Sequence, residues 1–174
     1  TRLQDGRLKI KKEPEALEEV IGGAIALILK RAPEQKIQVE MPEEVLMIPM
    51  DARLMEQVFV NLLDNAVKHS EPSDQITITV EAPERESGIR IEVADRGEGI
   101  SDADLPNIFE TFYTSSTRDA DSKQGIGLGL AICDTIIKAH GGSIRAENRA
   151  DGKGAVFTLK IPVNKEEGSN GALS

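Results

Sequence analysis

Cysteine occurs once, at position 133, so no disulfide can form within the chain and a reducing, cytosolic setting is expected. Cys133 itself reads as a small apolar helix residue. With only His69 and His140 besides, no His/Cys cluster suits zinc and no Ser-His-Asp order is convincing. No apolar run approaches the roughly 20 residues that a bilayer span needs, and no secretory signal is visible. Gly-Lys-Ser/Thr is absent, which excludes a P-loop. Lys plus Arg number 21 against 30 Asp plus Glu, a net charge of −9. Such a surface in general repels nucleic acid and anionic membrane, although a local basic patch could still exist, and no nucleic-acid partner is expected.

What is present suits one domain with short extensions: 174 residues, 39% of them hydrophobic, enough for a core. Thr1 stands where an initiator Met would, so a longer parent is expected. Residues 1–12 read as a linker with a weak strand, Leu8 to Lys11. Pro14 suits the first turn of a helix whose stripe Leu17, Val20, Ile21, Ala24 and Ile28 runs to about Arg31. Strands are expected at 36–40 and 45–48. Asp51 can cap a second helix reaching about His69, with Leu54, Val58, Leu62 and Ala66 buried. Ile76, Ile78 and Val80 share one strand face, and Ile89, Ile91 and Val93 another, joined by a turn at 82–88. A short helical turn at 101–109, a polar loop at 113–124 expected to move, and a third helix at about 127–140 ending at Gly141-Gly142 follow. Two strands, 143–148 and 154–161, join through Asp151-Gly152, and 164–174 reads as a disordered tail. The sum is an α+β two-layer sandwich over 13–163, a mixed, mostly antiparallel sheet covered on one face by three helices.

Three short boxes carry the chemistry. Gln57, Asn61, Asn65 and Lys68 share a face of the second helix. Two amide oxygens one turn apart suit Mg2+, a hard cation that shares its site with phosphates, and Lys68 could meet a phosphate as a point charge. The bland alternative is a solvated polar face. Asp95, just past Val93, precedes Gly97 and Gly99. A buried carboxylate there could accept from an exocyclic amine such as that of adenine, or it is simply part of a tight turn. Gly125, Gly127 and Gly129, interleaved with Ile126, Leu128 and Leu130, open the third helix, where N–H groups and the helix dipole favour phosphate. A Rossmann fingerprint is not matched, since Leu130 stands at its third Gly and no strand precedes it. Phe109 and Phe112 either clamp the loop or pack in the core, and Arg118 and Lys123 either close over phosphates or are merely solvated. His140, just before the helix stop, is expected to cap it.

With the boxes in this order, the chain resembles the catalytic ATP-binding domain of bacterial sensor histidine kinases, from about Gly6 to Pro162. NLLDNAVKH (61–69) looks like the N box, DRGEGI (95–100) the first glycine box, IFETF (108–112) the F box and GIGLGLAI (125–132) the second glycine box; HGGSI (140–144) and FTLKIP (157–162) also match. LEEVIGGAI (17–25) adds similarity to potassium sensor kinases of the KdpD type. The resemblance implies the Bergerat fold of the GHKL superfamily, with ATP and Mg2+ as cofactors. By position, Asn65 would be the main magnesium ligand and Asn61 a second, with Lys68 and His69 on phosphates. Asp95 would read the adenine amine beside Gly97, Gly99 and Ile100, with Thr158 aiding it through water. Gln124, Gly125, Gly127, Leu128 and Gly129 would form the lid hinge and phosphate contacts.

Two departures stand out. Thr114 occupies a position that is often basic, so Arg118 is the candidate replacement. Neither His69 nor His140 has the setting of the family's acceptor, and residues 1–7 look like the end of the helical hairpin that would carry it upstream. The implied function is delivery of the γ-phosphate to that upstream histidine, in cis or in trans. The implied partners are that hairpin and a response regulator, in a membrane-anchored, homodimeric parent with this domain in the cytoplasm. Two rivals are an ATP hydrolase and a non-enzymatic nucleotide sensor or docking module. Asn61 opposes the first, because it stands where related ATPases place the Glu that activates water, and an amide cannot take the proton.

Overall fold

Two hydrophobic periods, 3.6 in some stretches and 2 in others, dictate the elements. The computed structural model describes residues 3–4, 7–84, 88–111 and 129–163. Helix α1, Leu17–Arg31, buries Leu17, Val20, Ile21, Ala24 and Ile28; Glu18 and Glu19 in its first turn and Lys30 and Arg31 in its last complement the helix dipole. Helix α2, Ala52–Lys68, starts at Asp51, whose carboxylate accepts from Leu54 N at 3.3 Å. Its stripe is wider than expected. Met55, Phe59 and Leu63 are buried beside Val58, Leu62 and Ala66, while Leu54 is only half-buried. Helix α3, Gly129–Ala139, buries Cys133, Ile136 and Ile137. It ends in a Schellman turn. Gly141 takes φ +80, its N–H reaches Lys138 O, and Gly142 N–H reaches Ile137 O.

Strands β4 (Lys36–Glu40), β6 (Gln75–Glu84), β7 (Gly88–Ala94), β8 (Ser143–Asn148) and β9 (Ala155–Ile161) form one sheet in the order β4-β6-β7-β9-β8. Only the β4–β6 pair is parallel. Register partners Ile78↔Val93, Ile91↔Leu159 and Val93↔Phe157 stack one buried face, and the three helices cover it. Each such side chain taken from water contributes about 1.5–3 kcal/mol. The expected α+β sandwich, with its mixed sheet, is what is observed.

Five expectations need correcting. Leu3–Gln4, expected within the end of a helix, form strand β1 instead and pair antiparallel with β2 (Arg7–Leu8), which stops short of the expected Lys11. Pro14 lies in β3, Glu13–Ala16, and not in a first helical turn. It sits opposite Pro49 of β5, Met47–Met50, which begins two residues later than expected. A separate two-stranded pair tolerates proline, since it lacks the full ladder of a central strand. Finally, β6 runs on to Glu84 through a register shift after Glu81, into the span expected to turn.

Candidate functional site

Helix α2 supplies the first wall. Asn61 and Asn65 lie half-buried on one side of it, one turn apart. The Asn61 Nδ2 donates to Gly129 O at 3.3 Å. Because the amide nitrogen is committed to α3, the Asn61 oxygen is the atom left to accept or to ligate. Lys68 is exposed, with Nζ 3.3 Å from Asp64 Oδ2, and Arg31 Nη1 approaches Asp64 Oδ1 at 3.6 Å. His69 closes α2, its Nδ1 3.9 Å from Glu98 Oε1.

The second wall is the turn after β7. Asp95 is 3% exposed. Its Oδ1 accepts from Gly97 N at 2.9 Å and from Ala155 N at 3.1 Å. Among the described residues nothing donates to Oδ2, which leaves that oxygen for a ligand. Gly97 presses on the end of α2, where a Cβ would come 1.8 Å from His69 O. No side chain fits there, so the acid-bearing turn and the end of the amide-bearing helix are held together by backbone contact. Asn148 grips Ile100 at both backbone atoms, accepting from its N–H at 2.7 Å and donating to its carbonyl at 2.8 Å. A Cβ on Gly99 would meet the same Asn148 side chain.

The third wall is α3. Gly129 begins it and takes the Asn61 bond, and Leu130 is half-buried against the core. Cys133 Sγ points at Val58 O, 3.6 Å away, and burial pushes its thiol up to about 12. That matches the expected inert, structural cysteine. His140 Nε2 accepts from Asp51 N at 3.0 Å and Nδ1 faces Ile136 O at 2.8 Å. It caps α3 as expected and also grips the start of α2.

Contacts thus join Gly97 to His69, Asp95 to Gly97 and Asn61 to Gly129, with Asn65 one turn along α2 from Asn61. Phe109 resolves to core packing, edge-on to Phe157 at 6.1 Å between ring centres. Phe112, Arg118, Lys123, Gln124, Gly125, Gly127 and Leu128 lie outside the described residues, as do the expected mobile loop and tail. Thr158 does not join the site. Its register partners are Glu92 and Arg145, and strand alternation puts it on the sheet face opposite Val93, Phe157 and Asp95. The β9 group that serves Asp95 is the Ala155 amide. Sequence reasoning missed this, and it missed Asn148 and Gly154. Gly154, at φ +104, brings its Cα so close to Asp95 that a Cβ would lie 2.1 Å from Asp95 O. Its only local signal was a second glycine two positions after the Asp151-Gly152 turn.

Comparison with known proteins agrees with this geometry. Residues 50–165 match the family described as histidine kinase-, DNA gyrase B-, and HSP90-like ATPase. Sensor protein KdpD of Clostridium acetobutylicum is 45% identical over 162 residues, covering 93% of this chain and 18% of the relative. The chain thus spans less than a fifth of the curated relatives it matches. A mycobacterial sensor histidine kinase, MprB, superposes with a TM-score of 0.78 at 25% identity, over 87% of this chain and 99% of that one. Histidine kinase ThkA, solved in complex with response regulator protein TrrA, superposes at 0.71 with 29% identity, over 90% of this chain and 43% of that one.

Proposed function

The chain belongs to the histidine kinase-, DNA gyrase B- and HSP90-like ATPase family, and on that premise we propose that it is the Mg-ATP-binding kinase domain of a KdpD-type sensor histidine kinase. It would deliver the γ-phosphate to a histidine on a helical hairpin elsewhere in its parent. The observation that carries this reading is the meeting of the three boxes. The far half of α2 touches the Asp95 turn through His69 and the start of α3 through Asn61.

Each box has one task. Asp95, held by two backbone N–H groups on Oδ1, presents Oδ2 to the exocyclic amine of adenine. A carbonyl at that place on the base would set acceptor against acceptor, so guanine is refused. Asn65 and Asn61 fit Mg2+ because both offer neutral amide oxygens, and Asn61 has its nitrogen already engaged. The metal, when bound, would neutralise phosphate charge. Lys68 and His69 would reach the phosphates, Lys68 by exchanging Asp64 for them. The N-terminus of α3 and the glycines before it would cradle the triphosphate, and Arg118, Lys123, Gln124, Gly125, Gly127 and Leu128 would complete the lid. No side chain of this chain is assigned to proton transfer. Asn61 cannot act as a base, which favours phosphoryl transfer over hydrolysis. Partners would be the parent's own hairpin, in cis or in trans, and a response regulator, in a membrane-anchored dimeric parent.

Calorimetry should detect Mg-ATP uptake that ATP without metal reproduces only weakly. With γ-labelled ATP the chain alone should stay unlabelled and release little phosphate. Addition of the parent's histidine-bearing hairpin should transfer label to the hairpin. Absence of any nucleotide uptake, or labelling of His69 or His140, would overturn the reading.

A further inference from the structure

Helices α2 and α3 run antiparallel, and among the described residues hydrogen bonds tie them along their length. Asp51 N–H bonds His140 Nε2 at one end, Cys133 Sγ meets Val58 O in the middle, and Asn61 Nδ2 bonds Gly129 O at the other end. The last tie lies in the nucleotide neighbourhood, and the first lies at the opposite extremity of both helices. Asp51 is committed at both carboxylate oxygens and at its N–H. Its Oδ1 accepts from Leu54 N, its Oδ2 accepts from Lys11 N at 3.1 Å, and its own N–H goes to the imidazole. His140 is 2% exposed and fully used. Since Nε2 accepts, Nδ1 carries the proton and donates to Ile136 O at 2.8 Å. The N-terminal segment, the start of α2 and the end of α3 therefore meet at a single junction.

We propose that His140 is a positioning residue for the nucleotide site, holding α3 against α2 through Asp51 so that Gly129 meets Asn61 in register. The inference rests on the ATP-binding reading above. The lever is short. At about 1.5 Å rise per residue, His140 sits about 10 Å beyond the Cys133 contact and Gly129 about 6 Å before it. About 1 Å of slack at the histidine end thus becomes roughly 0.6 Å at the glycine end, on a scale where about 1 Å of misplacement changes rates about a hundredfold.

A protonated imidazole cannot accept from Asp51 N–H, so the tie is present only while His140 is neutral. Burial, first, holds its pKa below the ordinary value of 6.5. The charged groups facing it are Lys12 of the N-terminal segment, which acts in the same direction, and Asp51 of the α2 cap, which opposes. Its bond to Ile136 also opposes. The tie should therefore hold at neutral pH and loosen as pH falls below that value.

The test compares the wild-type chain with His140→Gln, whose amide oxygen can replace the Nε2 acceptor, and His140→Phe, which fills the space and accepts nothing. Nitrogen-15 spectra of the ligand-free chains read the tie without nucleotide. The Asn61 side-chain amide and the Gly129 amide should move in His140→Phe and stay near wild type in His140→Gln. As the wild type is titrated to lower pH, below 6.5, they should move the same way, with His140→Gln lacking that response. Calorimetry should then show the Mg-ATP Kd of His140→Phe raised about fivefold or more, and that of His140→Gln within about twofold of wild type. Unmoved Asn61 and Gly129 signals in a folded His140→Phe would overturn the proposal. So would identical pH responses of wild type and His140→Gln, which decides the matter if His140→Phe does not fold. Loss of Mg-ATP binding by the wild type, with the spectral changes intact, would sink the functional reading and leave the positioning of α3 standing.

Discussion

Asp95→Asn tests the proposed purine anchor most directly, because the structure separates its two oxygens. Oδ1 is consumed by Gly97 N and Ala155 N, whereas Oδ2 has no donor among the described residues. Asparagine can keep its oxygen where Oδ1 lies and retain both backbone bonds. They change from charge-assisted to neutral, which should cost the fold about 1–2 kcal/mol. The turn therefore persists, as a cooperative thermal transition a few degrees lower should report. Binding should suffer more. The nitrogen now replaces Oδ2 and meets the adenine amine donor to donor. Loss of a bond to a charged group removes about 1.5–3 kcal/mol, and a facing unsatisfied donor adds about 1–3 kcal/mol. The total corresponds to a loss of at least about sixtyfold in Mg-ATP affinity at about 1.4 kcal/mol per decade. Calorimetric titration of both proteins with Mg-ATP and Mg-GTP is the assay. A folded Asp95→Asn that binds Mg-ATP within about threefold of wild type would refute the assignment of Oδ2 to the base.

Other expectations follow from single positions. Gly154→Ala forces a side chain into φ +104 and onto Asp95 O, so it should cost more than about 2 kcal/mol in denaturant unfolding and weaken nucleotide uptake as well. Gly22 is exposed in the middle of α1 with nothing within 4 Å of a built Cβ, so Gly22→Ala should stabilise the chain by about 0.5–1 kcal/mol and leave ATP affinity unchanged. Cys133, buried and with its thiol pushed up to about 12, should resist a thiol-reactive chromophore at about pH 8 until denaturant is added; prompt native-state labelling would contradict its packing. Stability should also carry a His140 signature. Its folded pKa is lowered from the ordinary 6.5, so its contribution is whole above that value and is lost as pH falls towards the folded pKa. His140→Gln should flatten that part of the stability profile without touching the carboxylate region below it.

Much of the fold was legible because burial writes itself into period. The stripes of α1 and α2, the alternation at Ile76–Val80 and Ile89–Val93, and the Asp51 cap each follow from local geometry that the chain states outright. The same holds for Asn61 and Asn65 on one helical side, and for Asp95 beside its glycines. Pro14 shows where such reading fails. A proline suits either a first helical turn or a short strand pair, and only Met47–Met50, more than thirty residues away, decides for the strand. Thr158 shows the same limit at the site. Its proximity in sequence to β9's other residues says nothing of which face it takes until Glu92 is paired with it.

By itself, then, the sequence determined the fold class, the helix and strand faces, and which acid and amides are the candidates for a nucleotide site, since each depends on spacing within one element. Tertiary structure alone decided which atoms remain available. Ala155 and Gly97 occupy one oxygen of Asp95, Gly129 occupies the nitrogen of Asn61, and Asn148 and Gly154 shape the turn from far along the chain. Contacts between distant segments leave no periodic trace in either one, because they are fixed by how the sheet and helices pack and not by the local step of the chain.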